Sequence, residues 1–128
     1  MEKNTACFTI KRVENGRFFY ASVELLLSDK FDEPFFVRED WAHSAKCGIQ
    51  EAMDELMLIE ISAVGNPKLV ELIGTDVDTT CETVMAAAKM ATFRLFGVEN
   101  KAILQLDPNP TCKLGGISHM NRSGPINE

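Results

Sequence analysis

Long apolar runs are missing from this sequence. No uninterrupted stretch approaches the roughly 18 residues that a membrane-crossing helix needs, so no span is expected. Residues 1–6 are polar and carry no apolar signal segment, which points to a cytoplasmic protein without export. Positive charge is also scarce: 13 Lys and Arg stand against 19 Asp and Glu, a formal charge of −6. Binding to nucleic acid draws most of its affinity from cations set against phosphates, and anionic lipid asks for the same charge. Direct contact with nucleic acid or membrane is therefore not expected. Cysteine is sparse and scattered: Cys7, Cys47, Cys81 and Cys112 are 40, 34 and 31 residues apart, with no C-x-x-C. Structural zinc sites use closely spaced ligand pairs, and disulfide frameworks belong to small secreted chains. The four read as reduced thiols, with Cys7 and Cys81 as small core hydrophobes.

The familiar catalytic signatures are absent too. There is no G-x-x-x-x-G-K-[ST], G-x-G-x-x-G, G-x-S-x-G or H-E-x-x-H. These absences exclude the linear forms of phosphate-loop, dinucleotide, esterase and zinc-protease chemistry. No cofactor and no metal is expected.

What is present is one domain's worth of chain. The 128 residues are 45% hydrophobic and 25% charged, enough apolar mass to offset the entropy of ordering. The acidity is local. Residues 24–60 hold ten acids and three bases, a charge of −7, which leaves the remainder at +1. Within that segment Asp29, Asp32, Glu33, Glu39 and Asp40 would attract a basic partner. The plainer reading is a solvated face that keeps the chain soluble.

Periodicity sets the elements. Residues 6–13 alternate, with Phe8 and Ile10 on one face and Thr9 and Lys11 on the other, as a half-buried strand does. Asn15-Gly16 follows, a pair that tolerates positive φ and closes hairpins. Residues 17–27 return as a second strand. Phe19, Ala21, Val23, Leu25 and Leu27 share its inner face. Phe18, Tyr20 and Leu26 make the opposite face apolar too, so a cover is expected there, a second copy of the chain being the simplest.

Residues 28–37 read as a loop, and residues 41–56 as a helix with Asp40 as N-cap and Ala45, Ile49, Ala52, Met53 and Leu56 as its core stripe. Gly48 costs this helix about 1 kcal/mol against alanine; either it allows close packing on another backbone, or the helix simply tolerates it. Residues 57–64 and 68–74 are predicted strands around a Gly65-Asn66-Pro67 turn. A second helix runs to Phe96, opened by a Thr79/Glu82 capping box and closed by Gly97 as a left-handed cap. Its alanines, Ala86 to Ala88 and Ala91, make a thin surface suited to tight packing. A short strand over 101–106 ends the predicted domain, and 107–128, punctuated by Pro and Gly, reads as an extended or disordered arm.

The expected architecture is thus α+β: two ββα units forming one mainly antiparallel sheet with two helices packed on one face, a short C-terminal strand and a tail. The domain is residues 1–106.

Three constellations carry possible chemistry. His43, Cys47 and Glu51 stand at i, i+4 and i+8, a spacing at which an imidazole could activate a neighbouring thiol as a nucleophile. Glu39 and Glu55 extend that stripe and mark it as a solvent side. Asp76, Asp78 and Glu82 gather carboxylates at the second helix's start, where capping and the helix dipole favour acids without any cation. The same turn offers Thr75, Asp76, Asp78, Thr79 and Thr80 to a small amine or amino acid. His119 and Arg122, with Lys113 and Cys112, lie in the tail and read as surface residues.

The run GTDVDTTCETVMAAAKMATFRLFG resembles, in its alanine-rich start, the last helix of double-stranded RNA-binding domains. Following a hairpin, it also resembles the leucine-sensing domain of isopropylmalate synthases. It lacks the lysine cluster of the first and any diagnostic motif of the second, so neither family is assigned. The expectation is a small binding module that self-associates and holds a protein partner or a small ligand. The alternatives are an acidic inhibitor that blocks a basic nucleic-acid-binding protein, or a sensor with a site at a subunit interface.

Overall fold

The computed structural model describes residues 5–28, 39–59, 66–75, 77–106 and 109–115. Two long strands, β1 (Thr5–Glu14) and β2 (Arg17–Ser28), form an antiparallel hairpin. Its turn places Asn15 at φ 52° and Gly16 at φ 77°, the positive angles that the primed hairpin turns require. Helix α1 (Glu39–Leu58) comes next. Strand β3 (Asn66–Ile73) then pairs antiparallel with β2, giving a sheet of order β1-β2-β3. Helix α2 (Cys81–Leu95) and a short 3-10 turn (Glu99–Lys101) lead into β4 (Ala102–Gln105) and β5 (Thr111–Leu114), a separate small hairpin. The α+β class, the antiparallel sheet and the two helices on one face match the sequence pattern.

One core joins these parts. Ile10, Phe19, Ala21, Val23 and Leu25 point inward from the sheet and meet Ala45, Ala52 and Leu56 of α1 and Val84, Ala88 and Phe93 of α2. Helix α2 lies at the centre, against β1 and β2 on one side, with α1 and β5 also packed on it. From Thr83 to Phe93 only Met85 escapes full burial. Its alanines let both neighbours approach. A Cβ on Gly48 would come within 2.5 Å of the Met85 carbonyl oxygen and 3.1 Å of the Ala88 Cβ, so α1 needs glycine at this crossing. Helix α2 ends as predicted. Gly97 sits at φ 76°, its N–H donates to the Arg94 carbonyl, and the Val98 N–H reaches back to Phe93 at 2.9 Å.

Several expectations need correcting. Met57 and Leu58, read as the start of a strand, are the last turn of α1. A short apolar run does not separate helix from strand by itself, and nothing between Leu56 and Leu58 breaks a helix. Residues 60–65 lie outside the described residues, so the described sheet has three strands. Asn66 and Pro67, read as a turn, begin β3 opposite Ser28 and Leu27. Proline is tolerated there because β3 is at the edge of the described sheet and Pro67 lies near its start.

The caps move as well. Helix α1 already includes Asp40, whose Oδ1 accepts the Trp41 N–H at 2.9 Å. The N-cap of α2 is Thr80, which accepts the Thr83 N–H at 3.2 Å, one residue later than the capping box implied. Cys7 is exposed and Cys81 half-buried, so neither is a full core residue; strand alternation puts Cys7 beside Thr9 on the outer face. The buried thiol is Cys112, on β5, within the segment read as an arm. Cys112 and Leu114 both enter the core. Of the 28–37 loop, residues 29–37 fall outside the described residues, as do tail residues 116–128 with His119 and Arg122.

Candidate functional site

The inner face of the three-stranded sheet carries the core residues Ile10, Phe19, Ala21, Val23 and Leu25, whereas the outer face is open. Cross-strand register sorts the outer face into rows. Val13 stands opposite Phe18, and Lys11 opposite Tyr20. Thr9, Ser22 and Ile73 form the middle row; Cys7, Glu24 and Glu71 the next; Thr5, Leu26 and Lys68 the last. A register shift between Glu24 and Leu25 inserts Val70 as an extra residue in β3. An outer face in contact with water is ordinarily polar. Here Val13 is 67% exposed, Ile73 44%, Val70 39% and Phe18 38%, with Tyr20 and Leu26 partly open beside them. The Phe18 and Tyr20 rings stack, with centroids 6.4 Å apart and planes within 9°. The expected interface residues Phe18, Tyr20 and Leu26 therefore share one surface, which Val13, Val70 and Ile73 enlarge. Val13 was legible as the strand end opposite Phe18; Val70 and Ile73 needed the register of β3.

The polar groups on this face are partly satisfied. Thr9 Oγ1 and Ser22 Oγ are 2.8 Å apart, and Cys7 Sγ lies 3.7 Å from the same Ser22 oxygen. Among the described residues Lys11, Glu24 and Glu71 take part in no ion pair.

The expected ligand turn is built differently. Thr79 is buried; its Oγ1 accepts the Thr75 N–H at 2.8 Å and donates to the Tyr20 carbonyl at 2.7 Å. Thr75 Oγ1 accepts the Asp78 N–H at 3.0 Å, and the Tyr20 N–H donates to the Asp78 carbonyl. Thr80 caps the helix. These hydroxyls tie the turn to β2 beyond the end of β3. Asp76 lies outside the described residues. Glycine is needed at Gly74, where a Cβ would come within 2.9 Å of Trp41 and closer still to Thr79.

On α1, His43 Nε2 and Cys47 Sγ are 3.5 Å apart, as the i, i+4 spacing implies. Glu51 does not join them; it turns toward Lys89 of α2. Of the acidic set, Asp29, Asp32 and Glu33 lie outside the described residues, Glu39 opens α1 and Asp40 is exposed.

The largest feature that sequence reading missed is Lys89. Its ammonium is 2.6 Å from Glu55 Oε2 and 3.4 Å from Glu51 Oε1, with the lysine side chain only 6% exposed. Glu55 Oε1 also accepts the Leu114 N–H at 3.0 Å, so one carboxylate joins both helices to β5. A cavity of about 130 Å³ adjoins this cluster, lined by Glu51, Glu82, Met85, Lys89, Pro110 and Cys112 among others. Burial pushes the Cys112 thiol up to about 12, the Lys89 charge only partly opposing that. A protonated thiol is a poor nucleophile, and an ion-paired lysine is no free base. The signal was legible in principle: a lone lysine amid helical alanines needs a buried counterion.

Among the described residues, no buried side-chain nitrogen or oxygen lacks a partner, and no group of three or more His, Cys, Asp or Glu is placed to hold a metal ion. No described helix is long and apolar enough to cross a membrane. No family model matches this chain, and no curated protein matches it.

Proposed function

We propose that this chain is a small binding module that associates with a second copy of itself through the open face of the β1-β2-β3 sheet. One observation carries the reading. Val13, Phe18, Tyr20, Val70 and Ile73 occupy the outer face while the core is already complete on the inner face. Scattered surface apolars need no explanation, but several exposed apolars on one sheet face, with stacked aromatics among them, are the usual make-up of an interface centre. Burying such a group removes apolar area from water at about 25 cal/mol per Å². An isologous dimer covers it on both copies at once.

Sedimentation velocity over a micromolar concentration series tests the proposal. The weight-average sedimentation coefficient rises with concentration toward that of a two-chain particle. A coefficient fixed at the single-chain value throughout rejects it.

A further inference from the structure

We infer that the second copy docks with its strands antiparallel to those of the first, each Lys11 set against the Glu24 and Glu71 row of its partner. This rests on the self-association proposed above and adds the orientation. The single chain carries an unfavourable feature. Glu24 and Glu71 stand directly opposite on neighbouring strands, on the same face. Like charges so placed repel. Neither has a cationic partner among the described residues, and Lys11, two rows away on the same face, has no anionic one.

Two sheets packed face to face by a two-fold axis have two simple orientations. If the axis runs along the strands, like rows meet. Lys11 then faces its own row, and two Glu24–Glu71 rows bring four carboxylates together. If the axis runs across the strands, the rows reverse about the middle row of Thr9, Ser22 and Ile73. The Lys11–Tyr20 row then lies on the Cys7–Glu24–Glu71 row, twice in each dimer. Phe18 comes over Leu26, and Ile73 meets its own copy near the axis. Lys11 then stands over the partner's Cys7, one strand away from the partner's Glu24 and two from the partner's Glu71. Packed sheets lie about 10 Å apart with strands about 4.8 Å apart, a span that a lysine and a glutamate side chain together cover to bring Lys11 to Glu24. Only the second orientation places opposite charges in contact, so charge complementarity selects it.

Charge reversal reads the orientation directly. Lys11, Glu24 and Glu71 are on the outer face and take no part in the core, and far-UV circular dichroism checks that each variant keeps its fold. Dimer dissociation constants are measured by sedimentation for the wild type, Lys11→Glu, the pair Glu24→Lys/Glu71→Lys, and the triple variant. In the antiparallel dimer, Lys11→Glu and the Glu24→Lys/Glu71→Lys pair each weaken association by about tenfold or more, because each changed contact occurs twice. The triple variant returns to near the wild-type value, and added salt weakens the wild-type dimer. A dimer whose dissociation constant ignores all three variants overturns the orientation while leaving self-association standing. A wild-type chain that stays monomeric overturns the reading beneath it.

Discussion

The Lys89 ammonium sits 2.6 Å from the Glu55 carboxylate, on a helix whose other buried residues carry no charge. The pair is nearly dry: the side chains are 6% and 17% exposed. Removing one partner of such a pair leaves a charge without compensation, at about 3–5 kcal/mol. Lys89→Ala is therefore expected to lower urea-unfolding stability by that order. Lys89→Met combined with Glu55→Gln removes both charges and keeps an acceptor for the Leu114 N–H. It is expected to regain much of the loss. A Lys89→Ala cost no larger than that of an ordinary surface change would show the pair to be incidental.

Gly48 offers a second test. On an isolated helix, glycine to alanine is worth up to about 1 kcal/mol in alanine's favour. Here the added methyl meets the Met85 carbonyl oxygen at 2.5 Å, and backbone cannot swing aside. Gly48→Ala is expected to reduce the melting temperature despite its better propensity. An increase would mean that α1 and α2 have room to separate.

How far the fold was legible depends on which signals are local. The hairpin at Asn15-Gly16, the inner stripe of β2 and the Gly97 cap follow from spacing and turn chemistry within a few residues. The end of α1 did not, because Met57 and Leu58 serve a helix or a strand equally well and tertiary context decides. Cys112 and Leu114 were read as tail because their neighbours are proline and glycine. Their burial depends on α2 offering them a place. Of the candidate site, Phe18, Tyr20 and Leu26 were visible as a two-sided apolar strand. Ile73 and Val70 joined them only through the register of β3 with its bulge. The Lys89 cluster combines residues from three elements, and no linear pattern records it.

Cys112 makes a clear prediction about reactivity. Burial holds its thiol near 12 against an ordinary 9.0. The neutral form is favoured in the folded state, so this contribution to stability is complete below about pH 9 and is lost as pH rises through about 12. Iodoacetamide in mildly alkaline buffer, read by mass spectrometry, is expected to label exposed Cys7 first and to spare Cys112 until denaturant is added. Prompt labelling of Cys112 in the folded protein would contradict its burial on β5 against α2.

Arg94 fastens the end of α2 to its surroundings. It donates to Glu99 through Nε at 2.7 Å and through a second nitrogen at 2.5 Å, and also to the Cys7 carbonyl. The hydrogen bond from Arg94 holds the Glu99 carboxyl below its ordinary 4.5. A lowered folded value means stability that is present above that ordinary value and fades as pH falls through the folded one. The pair is substantially exposed, so the effect is small. Glu99→Gln is expected to flatten the acid limb of stability against pH slightly, and NMR titration of Glu99 is expected to give a midpoint below that of a free glutamate. A midpoint at the ordinary value would remove the contact.

The most direct measurement is native mass spectrometry of the protein purified from its own cells, beside a Phe18→Ser/Ile73→Ser variant of unchanged circular dichroism. The account predicts a two-chain mass for the wild type and a one-chain mass for the variant. A wild type that flies as a single chain, or a variant that remains two-chain, would contradict the claim that the open sheet face is where this molecule binds its own kind.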